Sequence, residues 1–321
     1  MLAAIRDCVK LVFGLGVLAI ICLGWAPFAW ILCRLRMSNG GQVGRRFITV
    51  SIRLYLRALE AVGAMRFDIG SLDALSDNDA PMIIAPNHPR LLDAFLVVSR
   101  LSNVVCIMKS GINDNLFLGQ AARLAGYISN ESPVQMIRDS MRALKRGNHL
   151  LLFPEGTRTV REPVNPMTPA VGLIASRAGV PVQTVFIECD SPYLRKGWPL
   201  MRRARLPIHF RVRLGKRFDS PTDARAFTTM LEQYFVDALA PGRGMNGSAH
   251  ATVNGLAGAV ATTHARTRDA VDGVGAVGAV GAMGNVGAIV AIAPSPEPAS
   301  AARPVLAPIT ANPSAIESHS T

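Results

Sequence analysis

The sequence predicts an α/β fold, a central sheet flanked by helices, preceded by an N-terminal membrane-associated helical segment. Three observations carry this reading. Between residues 63 and 240, short apolar runs bounded by turn residues alternate with stretches of helical periodicity. Upstream, Leu11 to Cys33 contains no charged residue. Downstream of Pro241, glycine recurs every third residue at 275, 278, 281, 284 and 287 amid alanine and valine, with Pro-rich sequence after it. That composition lacks the side chains a packed core needs, and it is too poor in proline within the run for a collagen repeat. The expected organisation is a membrane helix and an amphipathic helix over 1–62, an α/β domain over 63–240, and a disordered Gly/Ala/Val/Pro-rich tail over 241–321.

Each element has its own signal. Leu11 to Cys33 is long enough to cross hydrocarbon, and Arg6, Lys10, Arg34 and Arg36 bracket it. Pro27 allows a kink and hence a half-inserted hairpin instead of a span. From Arg45 to Val62, Arg46, Arg53 and Arg57 fall within about 40° of one another on a helix, and most other positions are apolar. Such a cationic stripe suits a membrane surface or a single solvated face. Strands are expected at Arg66–Ile69, Met82–Ala85, Val104–Met108, Leu150–Phe153 and Val182–Ile187, with a half-buried one where Ile208, Phe210, Val212 and Leu214 alternate with His209, Arg211 and Arg213. Helices are expected after residue 90 to about Leu101, over Asn115–Leu124, through Val134, Ile137, Met141 and Leu144, and over Pro169–Arg177, stopped by Gly179.

The net charge is +12, and residues 241–321 carry four cations and four anions, so the whole excess lies in the first 240 residues. A basic domain behind an apolar N-terminus favours membrane lipids as partner, and sparse aromatic interleaving argues against nucleic acid. Cations are denser after the apolar segment, which places the following domain on the cytoplasmic side of the cytoplasmic (inner) membrane. From Arg195 to Arg217 nine cations occur without an acid, suiting anionic lipid, an acidic carrier protein or plain solvation. The five cysteines show no metal spacing, so no metal site is expected and the thiols read as free and buried.

Two stretches carry chemistry. In Asn87-His88-Pro89-Arg90-Leu91-Leu92-Asp93, a strand end meets a helix start, and a carboxylate five residues beyond an imidazole can fold back to orient it as a general base. In Phe153-Pro154-Glu155-Gly156-Thr157-Arg158, a strand stops at proline, glycine permits a sharp turn, and Arg158 emerges suited to bidentate recognition of phosphate.

Together these resemble the membrane-bound glycerolipid acyltransferases of the 1-acylglycerol-3-phosphate O-acyltransferase type, over roughly residues 65–217. Asn87-His88 with Asp93 matches that family's His-x4-Asp motif, and Phe153 to Arg158 matches its Phe-Pro-Glu-Gly-Thr-Arg motif. Lys109 stands where the family often has a lysine, Gly126 and Ile128 partly match a further motif, and Val180-Pro181-Val182 another. The resemblance implies a central mixed sheet flanked by helices and direct acyl transfer from acyl-CoA or acyl-carrier protein, with no other cofactor. His88 and Asp93 would be catalytic. Asn87, Lys109, Gly126, Glu155, Gly156, Thr157 and Arg158 would bind substrate. Ser129-Asn130-Glu131 and Met167-Thr168-Pro169-Ala170 stand where the family usually has basic residues, and Thr184 stands in place of a proline. The acceptor class therefore extends from 1-acylglycerol 3-phosphate to other lyso-lipids and to hydroxylated or amino lipids. A non-catalytic lipid-surface module of the same fold is the rival reading.

Overall fold

The computed structural model describes residues 2–34, 40–76, 78, 80–112, 119–199, 202 and 204–240. The 241–321 tail, Arg36, Arg203 and the first part of the helix expected from Asn115 lie outside the described residues.

The N-terminus forms two long helices, α1 (Leu2–Arg34) and α2 (Gly40–Ala61). They run antiparallel: Lys10 Nζ donates to the Gly63 carbonyl at 3.2 Å, Trp25 stacks on Phe47, and a Cβ at Gly14 would meet Leu59 Cδ2 at 2.7 Å. The outer face of α1 shows Ile5, Val9, Val12, Phe13 and Ile20 to solvent, and that of α2 shows Val43, Val50 and Leu54. Ile5–Trp25 is the one stretch among the described residues long and apolar enough to cross a membrane. The cationic stripe is exposed at Arg46, Arg53 and Arg57. Arg53 also holds the Ser99 carbonyl through Nε and Nη2, at 3.0 and 2.9 Å. It therefore fastens α2 to the domain as well as facing outward.

The domain is a seven-stranded sheet: β1 (Met65–Asp68), β2 (Ile83–Pro86), β3 (Val104–Met108), β4 (Ile128–Ser129), β5 (His149–Leu151), β6 (Val182–Cys189) and β7 (Ile208–Phe218). Their order is β1-β7-β6-β2-β5-β3-β4. The run from β6 to β4 is parallel, β7 pairs antiparallel with β6, and β1 pairs parallel with β7. The sheet is thus mixed, as the resemblance implied. Side chains alternate between its faces. Ile84, Cys106 and Leu151 pack beneath α2 and α3 (Asp93–Arg100), whereas Ile83, Val105 and Leu150 pack against α5 (Pro133–Lys145), α6 (Ala170–Ala178) and α7 (Ala224–Ala238). Burial on both faces explains why β2 and β3 read as continuous apolar runs. At the irregularity between Gln183 and Val185, β7 comes so close that a Cβ on Gly215 would lie 2.4 Å from Thr184 Oγ1.

Most strand and helix ends shift by one or two residues from expectation, and three helices differ in ways that matter more. α3 begins at Asp93, so Leu91 and Leu92 belong to the turn before it. The carboxylate therefore stands at the helix N-terminus and not a turn and a half inside. Among the described residues α4 covers Gly119–Ala125. The reading omitted α7, although Asp223 caps it by accepting from Arg225 and Ala226 N–H, and Phe227, Leu231 and Phe235 recur at helical spacing on its buried side. Of the described cysteines Cys106 alone is buried; Cys8 is exposed and Cys22 and Cys189 are half-buried, contrary to the expectation of buried thiols. Cys8, Cys22, Cys106 and Cys189 are free.

Candidate active site

The carboxyl ends of the parallel strands share one edge, where ligand sites of open α/β sheets form. β2 delivers Asn87 and His88 there, β5 delivers Pro154 to Arg158, β3 delivers Lys109, and β6 leads into the loop 190–199.

His88 is 1% exposed. Its Nδ1 stands 2.9 Å from Asp93 Oδ2, and that same oxygen accepts the Arg90 N–H at 2.7 Å. Among the described residues, His88 Nε2 has no partner. The ring lies against Phe153, with centroids 4.0 Å apart. The imidazole is thus fixed in plane and tautomer on one side and free on the other. Burial pushes the Asp93 carboxyl above its ordinary range, while the His88 hydrogen bond and charge pull it back.

The second motif supports the first from below. Glu155, 4% exposed, accepts the His88 backbone N–H on Oε1 at 2.8 Å and the Asn165 N–H on Oε2 at 2.8 Å, and the Thr159 hydroxyl reaches both oxygens. Thr159 N–H donates to the His88 carbonyl at 2.7 Å. The backbone of His88 is therefore clamped at both its polar groups by the turn that Gly156 makes at φ 66°. Burial raises the Glu155 carboxyl, and the Asn165 and His88 N–H groups, the Thr159 hydroxyl and the His88 charge oppose the rise.

The remaining expected substrate contacts divide. Asn87 uses its side-chain amide as a backbone mimic, donating to the Ile187 carbonyl at 3.0 Å and accepting the Ile187 N–H at 2.7 Å. Arg158 lies close enough to Asp93 for attraction between their charges, and its Nη1 donates to the Leu194 carbonyl at 3.2 Å. Thr157 Oγ1 accepts from Lys196 Nζ at 3.2 Å. Lys109 is exposed at the end of β3, on the same edge. Gly126, at φ 71°, ends α4 beside β4. That position is three strand spacings from β2, roughly 14 Å, so Gly126 does not join His88.

Sequence reasoning passed over Arg90 and the loop after β6. Arg90 is buried, with Nε donating to the Ser191 carbonyl at 2.8 Å and Nη1 to the Pro89 carbonyl at 2.9 Å. The Leu194 carbonyl takes both Arg158 and the Leu91 N–H, and Leu194 itself adopts φ 65°, a strained value for a branched side chain. Leu194 packs in the core cluster and fixes the loop across both motifs. Arg90 sits inside the first motif and was the legible part of this arrangement. The strain at Leu194 has no local signal.

An apolar cavity of about 90 Å³, open on one side to solvent, lies between α1, α2, α3, β3 and α4. Its wall begins at Ala94, next to Asp93, and includes Phe95, Met108, Ile52 and Trp25. Three cations of the basic stretch are paired with acids from other segments. Arg195 meets Glu162 at 2.9 Å, Arg211 meets Asp68 at 3.4 Å, and Arg213 meets Glu188 at 2.7 Å. A second pair, His209 Nδ1 and Asp190 Oδ2, stands at 2.7 Å, half exposed. Among the described residues no cluster suited to a metal ion occurs.

Known proteins resemble this arrangement. A family model described as acyltransferase matches residues 66–188. The chain is 26% identical over 182 residues to a chloroplastic 1-acyl-sn-glycerol-3-phosphate acyltransferase (BAT2) of Brassica napus, covering 54% of this chain and 50% of that one. It is 27% identical over 122 residues to another chloroplastic enzyme of that name (LPAT1) from Arabidopsis thaliana, covering 36% and 34%. The chain thus spans half or less of the length of these curated relatives. The crystal structure of the 1-acyl-sn-glycerophosphate acyltransferase PlsC from Thermotoga maritima superposes with a TM-score of 0.58 at 17% identity, over 76% of this chain and 99% of that one, which shows a shared fold. The stretch matched by the acyltransferase model contains His88, Asp93 and the Glu155–Arg158 turn, so the similarity covers both motifs of the site.

Proposed function

We propose that the chain moves a fatty acyl group from an acyl thioester, acyl-CoA or acyl-carrier protein, to the free hydroxyl of a lysophospholipid-type acceptor, with 1-acylglycerol 3-phosphate as the leading candidate. The observation that carries the reading is the His88 imidazole, held at Nδ1 by a buried carboxylate and unpartnered at Nε2. In the proposed reaction the acceptor hydroxyl gives its proton to Nε2 as its oxygen attacks the thioester carbonyl. Asp93 balances the imidazolium that forms. The tetrahedral intermediate collapses, the C–S bond breaks, and the leaving thiolate takes the proton back from His88. One ester and one free thiol result, with no covalent enzyme intermediate. Base catalysis of this kind gives about 10²–10⁴-fold, and positioning supplies much of the remainder.

Arg158, Thr157 and Lys109 are assigned to the acceptor's anionic head. Glu155 and Asn87 are assigned to positioning, because their polar atoms are already committed to protein partners. Asn130 and Thr168, in the stretches where the resemblance led us to expect cations, tie turns together: Asn130 Oδ1 accepts the Ser110 N–H and Thr168 Oγ1 donates to the Pro154 carbonyl. The cavity beside Asp93 is assigned to a fatty chain. The outward apolar faces of α1 and α2, with Arg46 and Arg57 among them, support seating in one leaflet of the cytoplasmic membrane, domain toward the cytoplasm.

The test is transfer of a labelled acyl group from acyl-CoA and from acyl-carrier protein to a panel of lyso-lipids, with thiol release counted. Equal amounts of thiol and esterified lipid are expected, falling about 10³-fold in His88→Ala. Thiol release without acylated lipid, or transfer indifferent to His88, would overturn the reading.

A further inference from the structure

We infer that the apolar cavity accepts a fatty chain bearing a hydroxyl in its distal half, and that the Tyr127 phenol recognises that hydroxyl. The inference deepens the acyl-transfer reading and rests on its assignment of the cavity.

Tyr127 lines the cavity between the end of α4 and the start of β4. Its hydroxyl is fully enclosed, with the Cys106 thiol as a weak hydrogen-bond partner and the Arg45 guanidinium near enough for its charge to act on it. The Cys106 thiol stands beside it, a free and buried group. A thiol is a weak donor and a weak acceptor, so it does not satisfy a phenol. Ser51 and Tyr55 of α2 carry the other hydroxyls on this wall, and most of the rest is aliphatic or aromatic carbon. Phenylalanine would fill the same space without the weakly bonded oxygen. A buried hydroxyl with so weak a partner is destabilising, and a ligand hydroxyl arriving at this depth supplies a strong donor and acceptor together.

The strand register sets the depth. Cys106 is level with Leu151 of β5, and Leu151 is level with Ile84 of β2, four residues before His88. Two strand spacings across and four residue rises along put the Cys106–Tyr127 pair roughly 15 Å from His88. An acyl chain with its carbonyl at His88 reaches that point with its distal carbons. A hydroxyl near the carbonyl would stop short of Tyr127.

The test uses the full chain in lipid vesicles and three octadecanoyl thioesters: saturated, hydroxylated in the proximal half, and hydroxylated in the distal half. The wild type is expected to prefer the distal hydroxyl over the saturated chain by about tenfold in kcat/KM, the size of one well-placed hydrogen bond. Tyr127→Phe is expected to erase that preference while leaving the saturated donor within about twofold, since no oxygen of that donor meets Tyr127. Equal use of the saturated and distal donors by the wild type, or an equal loss on both in Tyr127→Phe, would overturn the inference. A binding arm keeps the outcome separate from that of the acyl-transfer reading. Trp25 lines the cavity, so brominated octadecanoic acid should quench its fluorescence, and the three corresponding free acids compete for the site. Stronger competition by the distal hydroxy acid in the wild type, but not in Tyr127→Phe, supports the inference even if no donor is turned over. Equal competition overturns it even if transfer is rapid.

Discussion

The molecule contains two histidine–aspartate pairs of nearly equal length in opposite surroundings. His88 and Asp93 stand 2.9 Å apart with side chains 2% and 0% exposed, whereas His209 and Asp190 stand 2.7 Å apart at 54% and 36%. The shorter contact is the surface one, so distance does not distinguish a base from a surface ion pair. What separates them is the rest of the setting. His88 has its backbone clamped by Glu155 and Thr159, its ring against Phe153, and its Nε2 unpartnered among the described residues. His209 has water around it and cations as neighbours, which screen and compete.

Replacing each pair in turn breaks the comparison most directly. His88→Ala is expected to lower kcat about 10³-fold, and His209→Ala less than about twofold, measured as labelled lipid formed. A large loss in His209→Ala would mean that the outer pair takes part. Next in size, Asp93→Asn should cost about 10²–10³-fold in kcat with KM nearly unchanged, because the amide no longer stabilises the imidazolium. Asp190→Asn should be silent.

Glu155→Gln tests the clamp beneath His88. The amide keeps the size but replaces one acceptor oxygen with a donor facing either the His88 or the Asn165 N–H. A loss of about 2 kcal/mol is expected for the unpaired groups, seen as a melting temperature lower by roughly 4–8 °C, with kcat down about tenfold. Unchanged melting with lost activity would place Glu155 in direct contact with substrate.

The smallest effect is on pH dependence. Burial raises the Asp93 carboxyl in the folded state above its unfolded value of about 3.9. The folded chain therefore holds that proton longer than the unfolded chain, and stability from this group falls as pH rises from about 4 through the raised value. Asp93→Asn should flatten that part of the melting-temperature profile and remain at least as stable as the wild type at neutral pH. A steeper profile in the variant would show that the hydrogen bonds to His88 and Arg90 outweigh burial. Cys106, pushed up to about 12 by burial, stays a thiol throughout.

Much of this arrangement was legible because its signals are local. Asn87 to Asp93 needs only the end of a strand, one turn and the start of a helix, and Phe153 to Arg158 needs only a strand end and a glycine at positive φ. The same locality made β3 readable to the residue, since a run buried on both faces has no polar position to blur its ends. α7 was missed although its signals are just as local: Asp223 caps it, and Phe227, Leu231 and Phe235 recur four residues apart. Arg195 to Arg217 read as an uncompensated cationic patch because Asp68, Glu162 and Glu188 reach it from distant segments.

By itself, then, the sequence determined the imidazole, its orienting carboxylate, the arginine turn and the greasy N-terminus, since spacing along a few residues suffices for each. Tertiary structure alone decided that Glu155 faces inward to hold His88, that Asn87 bonds to β6, that Gly126 lies away from the site, and that Leu194 is strained across both motifs. Only the fold brings α1, α2, α3 and β3 around one cavity. Such contacts join residues far apart in the chain, and their partners are set by strand order and register, which no local pattern encodes.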